Sequence, residues 1–306
     1  MREFEYVAPP SLAEAGRLLR DTEGAMPLAG GTDVVVSARH GKISPKLLVD
    51  FKRIPGLTDL VDLEDAVEVG AMVSMTTLTR SSVIGRWFPA LASAAGSMGC
   101  WQVRNLATLG GNLCNASPSA DTSPPLLVYG ATVVLSDGID TRELPLPEFL
   151  SGPGTTALKR GEILVSIRVD KPADGLLSAY ARRAIRRSMD IPLVNTAVGL
   201  RLEGAIVAEA RIALGAVAPV PFRSKEAEDA LVGHTASAES FARSAQAAAV
   251  SARPITDVRA SGGYRSSMVE VLVRRTLAAA LASRPDVESD IKGGADDNDA
   301  PREVQG

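Results

Sequence analysis

Cysteine and histidine are nearly missing from this 306-residue chain, with two of each. Cys100 and Cys114 are too few for a disulfide framework and too few to hold an iron–sulfur cluster by themselves. His40 and His234 are equally poor material for a histidine-rich metal centre. Positive charge is not in surplus, since 33 Lys and Arg face 36 Asp and Glu. Nucleic-acid binding, which uses clustered cations to release phosphate counterions, is therefore not expected. No apolar run reaches the roughly 18–20 residues that a membrane span needs. The first residues, Met1-Arg2-Glu3-Phe4-Glu5, are acidic where a secretory leader is basic and then apolar. A cytoplasmic protein without a transmembrane segment is the expectation. With so little metal-binding or nucleophilic chemistry of its own, the chain points to a borrowed cofactor.

The length suggests two domains and a tail. Ser11-Leu12-Ala13-Glu14 has the form of a capping box, and Leu12, Ala15, Leu18 and Leu19 continue it as one helical face of about ten residues. Short apolar runs at Ala25–Ala29, Val34–Val36, Leu47–Phe51 and Val67–Val73 suit strands. Pro89 to Met98 suits a helix, Thr108 to Pro125 a loop, and Glu162–Val169 alternates as a strand. The polar cluster Lys171-Pro172-Ala173-Asp174-Gly175 marks a boundary. Beyond it, Leu176–Ile185, Val194–Leu202 and Ala205–Val217 suit strands, the last two as a hairpin across Glu203-Gly204. An Ala-rich helical region follows and ends in an amphipathic helix near Tyr264–Ala282. From residue 284 to 306 the chain is acidic and poor in apolar residues, and is expected to be disordered.

Two glycine pairs carry the functional signal. Ala29-Gly30-Gly31-Thr32-Asp33 follows a strand run, where bare backbone N–H groups make a nest for an anion such as phosphate. Thr108-Leu109-Gly110-Gly111-Asn112 repeats the pattern and continues through Ser117 to Asp121, a carboxylate able to accept from sugar-like hydroxyls or to cap the next helix. A lone Gly-Gly is more often just a tight turn and is weak evidence, whereas two suggest a diphosphate held between them. Gly152-Pro153-Gly154-Thr155-Thr156-Ala157 satisfies the dinucleotide string, but lacks the preceding strand and following helix. A Rossmann domain is disfavoured. Tyr180 and Arg182 alternate onto one strand face and, with Arg186, Arg187 and Asp190, form either a ring-flanking cluster or a solvated basic edge.

Taken together, these motifs resemble the FAD-binding medium subunit of molybdenum hydroxylases. That family includes bacterial xanthine dehydrogenases, aerobic carbon monoxide dehydrogenase, N-heterocycle dehydrogenases and 4-hydroxybenzoyl-CoA reductase. The resemblance runs from Phe4 to about Ala282. It implies an α+β fold: a bilobed FAD-binding domain of the vanillyl-alcohol-oxidase-like type over 1–173, with lobes of roughly 1–55 and 56–173. A C-terminal domain over 176–282, with a small antiparallel sheet and three helices, would follow. Ala29, Gly30, Gly31, Thr32 and Asp33 match the first flavin-diphosphate loop. Thr108, Leu109, Gly110, Gly111, Asn112, Ser117 and Asp121 match the second. Ile163 and Leu164 would pack near the flavin, and Tyr180 with Arg182 would sit at its ring, although the family commonly has Lys where this chain has Arg182.

The implied role is an electron relay through FAD to an external acceptor. An iron–sulfur small subunit with two two-iron two-sulfur clusters and a large subunit with the molybdenum cofactor would be partners, in a dimer of heterotrimers. The likeness leans toward a purine-like or N-heteroaromatic substrate for the complex. The cysteines for the extra cluster of 4-hydroxybenzoyl-CoA reductase are absent. The competing reading is a stand-alone flavin-dependent oxidase or dehydrogenase acting on a bound small molecule.

Overall fold

The computed structural model describes residues 2–172, 175–186 and 188–284. Its first lobe opens with the helix Leu12–Asp21, which starts where Ser11 Oγ accepts from the Glu14 N–H at 3.3 Å, one half of the expected box. A parallel three-stranded sheet orders Glu5–Val7, Leu47–Asp50 and Ala25–Leu28, with Leu47–Asp50 buried throughout in the middle. Leu47, Val49, Phe51, Ile54 and Ala15 make a small core beneath it.

Val34–Val36 is not a strand. Those residues open the helix Val34–Arg39. Three consecutive valines favour extension only weakly, and no neighbouring strand is at hand to pair with them, so local packing decides. Ala38 points inward while Val36 remains exposed.

The second lobe is an antiparallel five-stranded sheet in the order Leu60–Asp62, Ala66–Gly70, Ile163–Asp170, Thr132–Ser136, Thr141–Pro145. Short helices share its core, including Met75–Arg80 and Pro89–Ser97 through Met75, Leu78, Ala90, Leu91 and Ala95; Trp101–Leu106 follows them. The stretch expected as a loop, Thr108 to Pro125, contains two helices. Leu109–Cys114 is capped by Thr108, whose hydroxyl accepts from the Gly111 N–H at 3.1 Å. Ser123–Tyr129 begins on Pro124 and Pro125, which lack only N–H groups that a first helical turn leaves unpaired anyway. Polar and proline-rich composition masked both.

The third sheet is antiparallel in the order Leu177–Arg183, Val194–Glu203, Ile206–Gly215, Phe222–Arg223. Its hairpin turns at Gly204-Ala205, with Gly204 at φ +63° and Glu203 opposite Ile206. One face packs on the helices Ala238–Ser251 and Gly262–Ala282 through Val194, Val198, Ile212, Leu214, Leu272 and Val273. The other face joins the core of the second lobe, where Ala197 and Ala213 meet Leu126, Leu127, Val128 and Tyr129. The helix Ser123–Tyr129, buried at all seven positions, is the wedge between them. Gly152 and Thr155 sit in a tight two-stranded hairpin of Leu150–Gly152 with Thr155–Thr156, which excludes the nucleotide string as a helix-opening loop. Most of the expected acidic tail, from 285 to 306, lies outside the described residues, as do Ala173, Asp174 and Arg187.

Candidate functional site

Both glycine pairs come to one place. A Cβ on Gly30 would stand 1.9 Å from the Leu106 carbonyl oxygen and 3.2 Å from Ala107 Cα, so the first loop lies directly on the chain leading into the second. A Cβ on Gly111 would reach 3.7 Å from that of Ala29, ordinary contact between the two loops. Gly31 adopts φ +76°, a left-handed turn costly for any residue with a side chain.

The two pairs do different jobs. Among the described residues, the N–H groups of Gly30, Gly31, Thr32 and Asp33 meet no hydrogen-bond acceptor. The second loop has spent its donors: Leu109 bonds Val73 O at 3.0 Å, Gly110 bonds Ala71 O at 2.8 Å, Gly111 bonds Thr108 Oγ1 and Asn112 bonds Thr108 O. Gly110 has no side chain because a Cβ there would lie 2.5 Å from Ala71 Cβ and 2.7 Å from its carbonyl. Packing against Ala71 by itself requires a glycine here. What the second loop offers is side chains. Asn112 Oδ1 accepts from Thr122 Oγ1 at 2.6 Å, and Ser117 Oγ accepts from the Ser119 N–H at 3.3 Å.

Asp121 does not cap the next helix; Thr122 occupies that position, without a side-chain bond. Asp121 instead turns into the junction with the third sheet. Tyr180 Oη donates to Asp121 Oδ1 at 2.5 Å, and Arg182 Nη1 donates to Oδ2 at 3.1 Å. The strand alternation that places Tyr180 and Arg182 on one face thus delivers both to one carboxylate. Burial pushes the Asp121 carboxyl up to about 6, against the pull of Arg182 and Tyr180. The Tyr180 phenol is held well above its ordinary value by burial and by the acid beside it. Arg182 also donates to the carbonyl oxygens of Ser97 and Asp190. Three separate acceptors suit the planar fork of a guanidinium.

Beyond Arg182 opens a cleft of about 530 Å³ lined by Ser97, Trp101, Arg104, Arg182, Arg183 and Arg186. Trp101 is 60% exposed, with the guanidinium of Arg104 4.8 Å from its ring centre and that of Arg80 at 5.8 Å. Arg104 bonds the Met98 carbonyl and Arg183 the Tyr264 hydroxyl, so neither charge is met by a carboxylate in these contacts. The cleft favours an anionic or planar ligand.

Ile163 and Leu164 are adjacent on a strand and face opposite ways, Ile163 into the small core of the first lobe and Leu164 into the larger core. Both are buried, so they do not line one wall together. Sequence reasoning passed over Trp101, Arg104 and Asn195. Asn195 had a visible signal: a carboxamide inside the apolar run Val194–Leu202, where a buried polar group requires partners.

Comparison with known proteins agrees with this geometry over both halves. Residues 2–172 match the family described as FAD binding domain in molybdopterin dehydrogenase. Residues 179–280 match the CO dehydrogenase flavoprotein C-terminal domain. The xanthine dehydrogenase FAD-binding subunit of Escherichia coli O157:H7 is 31% identical over 280 residues, covering 91% of this chain and 96% of its own. The carbon monoxide dehydrogenase medium chain of Hydrogenophaga pseudoflava is 33% identical over 280 residues, covering 91% and 97%. A solved carbon monoxide dehydrogenase from Hydrogenophaga pseudoflava superposes with a TM-score of 0.88 at 34% identity, over 92% of this chain and 98% of that one. Quinoline 2-oxidoreductase from Pseudomonas putida 86 superposes at 0.87 with 29% identity, over 91% and 97%. Matched in both sequence and fold along nearly its whole described length, the chain belongs to the flavoproteins of the molybdenum hydroxylases, as an FAD-binding oxidoreductase subunit.

Proposed function

We propose that this chain relays electrons through FAD, from iron–sulfur clusters of a small partner subunit to an external acceptor. A large partner subunit would bind molybdenum and oxidise the substrate, with a purine-like or N-heteroaromatic compound as the favoured class. The assembly would be a cytoplasmic dimer of heterotrimers. The single observation that carries the reading is the run of four unspent backbone donors at Gly30, Gly31, Thr32 and Asp33, in contact with the second glycine turn. Successive free N–H groups that converge on one point are a seat for a diphosphate.

The residues fit FAD as follows. Gly30 to Asp33 would hold the diphosphate, with Ala29 and Leu109 as apolar walls and Thr108, Asn112 and Ser117 as hydroxyl and amide partners. Asp121, Tyr180 and Arg182 would stand at the ring end, where the cleft opens; of Ile163 and Leu164, which face opposite cores, only one side chain would pack near the flavin. When bound, FAD supplies the redox chemistry that the side chains lack. The protein's part is to grip, to shield one end from water and to place the Arg182 guanidinium where negative charge would develop, with Asp121 as a hydrogen-bond acceptor beside it.

Purification of the chain, followed by its visible spectrum and by release of flavin on heating, tests the grip. About one FAD per chain is expected. A colourless protein that also takes up no added FAD would remove the proposal. Co-expression with its neighbouring reading frames should yield one complex containing iron, sulfide and molybdenum.

A further inference from the structure

Asn195 lies at the centre of the junction and is fully buried. On its strand it pairs with Arg182 on one side and with Gly215 on the other. A Cβ on Gly215 would come within 2.1 Å of Asn195 Oδ1, so the bare glycine makes room for the amide to lie flat. Both amide protons are committed. One goes to the Ala120 carbonyl at 3.1 Å and the other to Tyr180 Oη at 3.4 Å. Its Oδ1 has no hydrogen-bond partner among the described residues. The Ala120 carbonyl is an acceptor only, so a flipped amide would set oxygen against oxygen. The Ala216 N–H holds the same loop at the Pro118 carbonyl, 2.7 Å away. The loop that carries Asp121 is therefore clasped twice by the third sheet.

We infer that Asn195 is a positioning residue of the flavin site: its amide fixes the direction of the Tyr180–Asp121 hydrogen bond, and so presents Asp121 to the ring end as an acceptor. Tyr180 has one proton. Because its oxygen already receives the Asn195 N–H, that proton is directed to Asp121. A protonated Asp121 that donated to the phenol oxygen would leave the Tyr180 proton without the acceptor it now has. Asn195 thus favours the ionised acid through Tyr180, without touching it. Among the described residues, the charged and titratable groups against Asp121 are Tyr180 and Arg182, both from Leu177–Arg183. The helix Ser123–Tyr129 adds only Tyr129, whose hydroxyl is engaged by Ser178 and the Ala90 N–H.

The inference rests on the FAD reading for its purpose, and its test separates the two. In the chain freed of flavin and labelled at the aspartate carboxyl carbons, the signal lost in Asp121→Asn identifies Asp121. Its titration is then followed by carbon NMR. Asn195→Leu, which keeps the branched outline of four side-chain heavy atoms but removes the amide, should raise the midpoint by about one pH unit. Tyr180→Phe should raise it similarly. The double variant should shift no further than Tyr180→Phe alone, since the amide acts through the phenol. Gly215→Ala, which pushes the amide from the far side, should shift the midpoint in the same direction and covers the case in which Asn195→Leu does not fold. In the FAD-loaded protein, the pH at which the flavin spectrum changes should move in parallel. An unmoved midpoint in a folded single variant, or full additivity in the double, overturns the inference. A wild-type chain that binds no FAD would defeat the proposed function alone, because the carboxyl titration is read without flavin.

Discussion

Gly30, Gly31 and Gly110 each answer to a different constraint, and the tertiary structure reveals which applies where. Gly30 is required by the Leu106 carbonyl, Gly31 by its positive φ, and Gly110 by the Ala71 backbone. The pairs were legible as a signal, yet the sequence pattern assigned both the same task. A valine at Gly110 has no room against a fixed backbone, and overpacking of that kind costs about 3 kcal/mol or more. Gly110→Val is therefore expected to lower the thermal midpoint and the yield of folded chain, measured by calorimetry on flavin-free protein. A variant with a native midpoint and no FAD would restore Gly110 as a direct steric gate to phosphate. Asp121 was legible as a polar side chain in the right loop. Its partners were not, because Tyr180 and Arg182 stand 59 and 61 positions away.

At the scale of elements, long periodic segments were readable and short ones were not. The helix Leu12–Asp21, the strand Ile163–Asp170 and the hairpin at Gly204-Ala205 fall where periodicity and turn chemistry put them. Val34–Arg39 and Leu109–Cys114 do not, since helices of six residues are set by caps and packing more than by composition. Ser123–Tyr129 is the most consequential of these. Tyr129 on it accepts from the Ala90 N–H at 3.2 Å, pairs with Ser178 Oγ at 2.6 Å and meets Phe88 edge-on at 5.0 Å. It ties the helix Pro89–Ser97 to the third sheet. Removal of one buried hydroxyl from two partners leaves both unpaired, at about 1–3 kcal/mol. Tyr129→Phe should lose that much in urea unfolding with the slope unchanged, and a loss below about 0.5 kcal/mol would show the hydroxyl network to be dispensable.

For the molecule as a whole, the shared core decides how it behaves. Ala197 and Ala213 of the third sheet belong to the same apolar cluster as the second lobe, and Gly199 lets Val128 approach where a Cβ would meet its Cγ1 at 2.9 Å. Two parts joined by buried apolar surface should melt together. The flavin-free chain is expected to give one calorimetric transition, raised by added FAD because a ligand of the folded state stabilises it by mass action. Two resolved transitions would show the parts to be independent. No helix among the described residues is long and apolar enough to cross a membrane. The sequence by itself determined the class of chemistry: its shortage of Cys and His pointed to a borrowed cofactor, and its paired glycines marked the loops, because both are properties of residue type. Tertiary structure alone decided which loop keeps free donors and which acid meets the phenol and the guanidinium. Those depend on groups remote in the chain, whose approach only the packing of three sheets brings about.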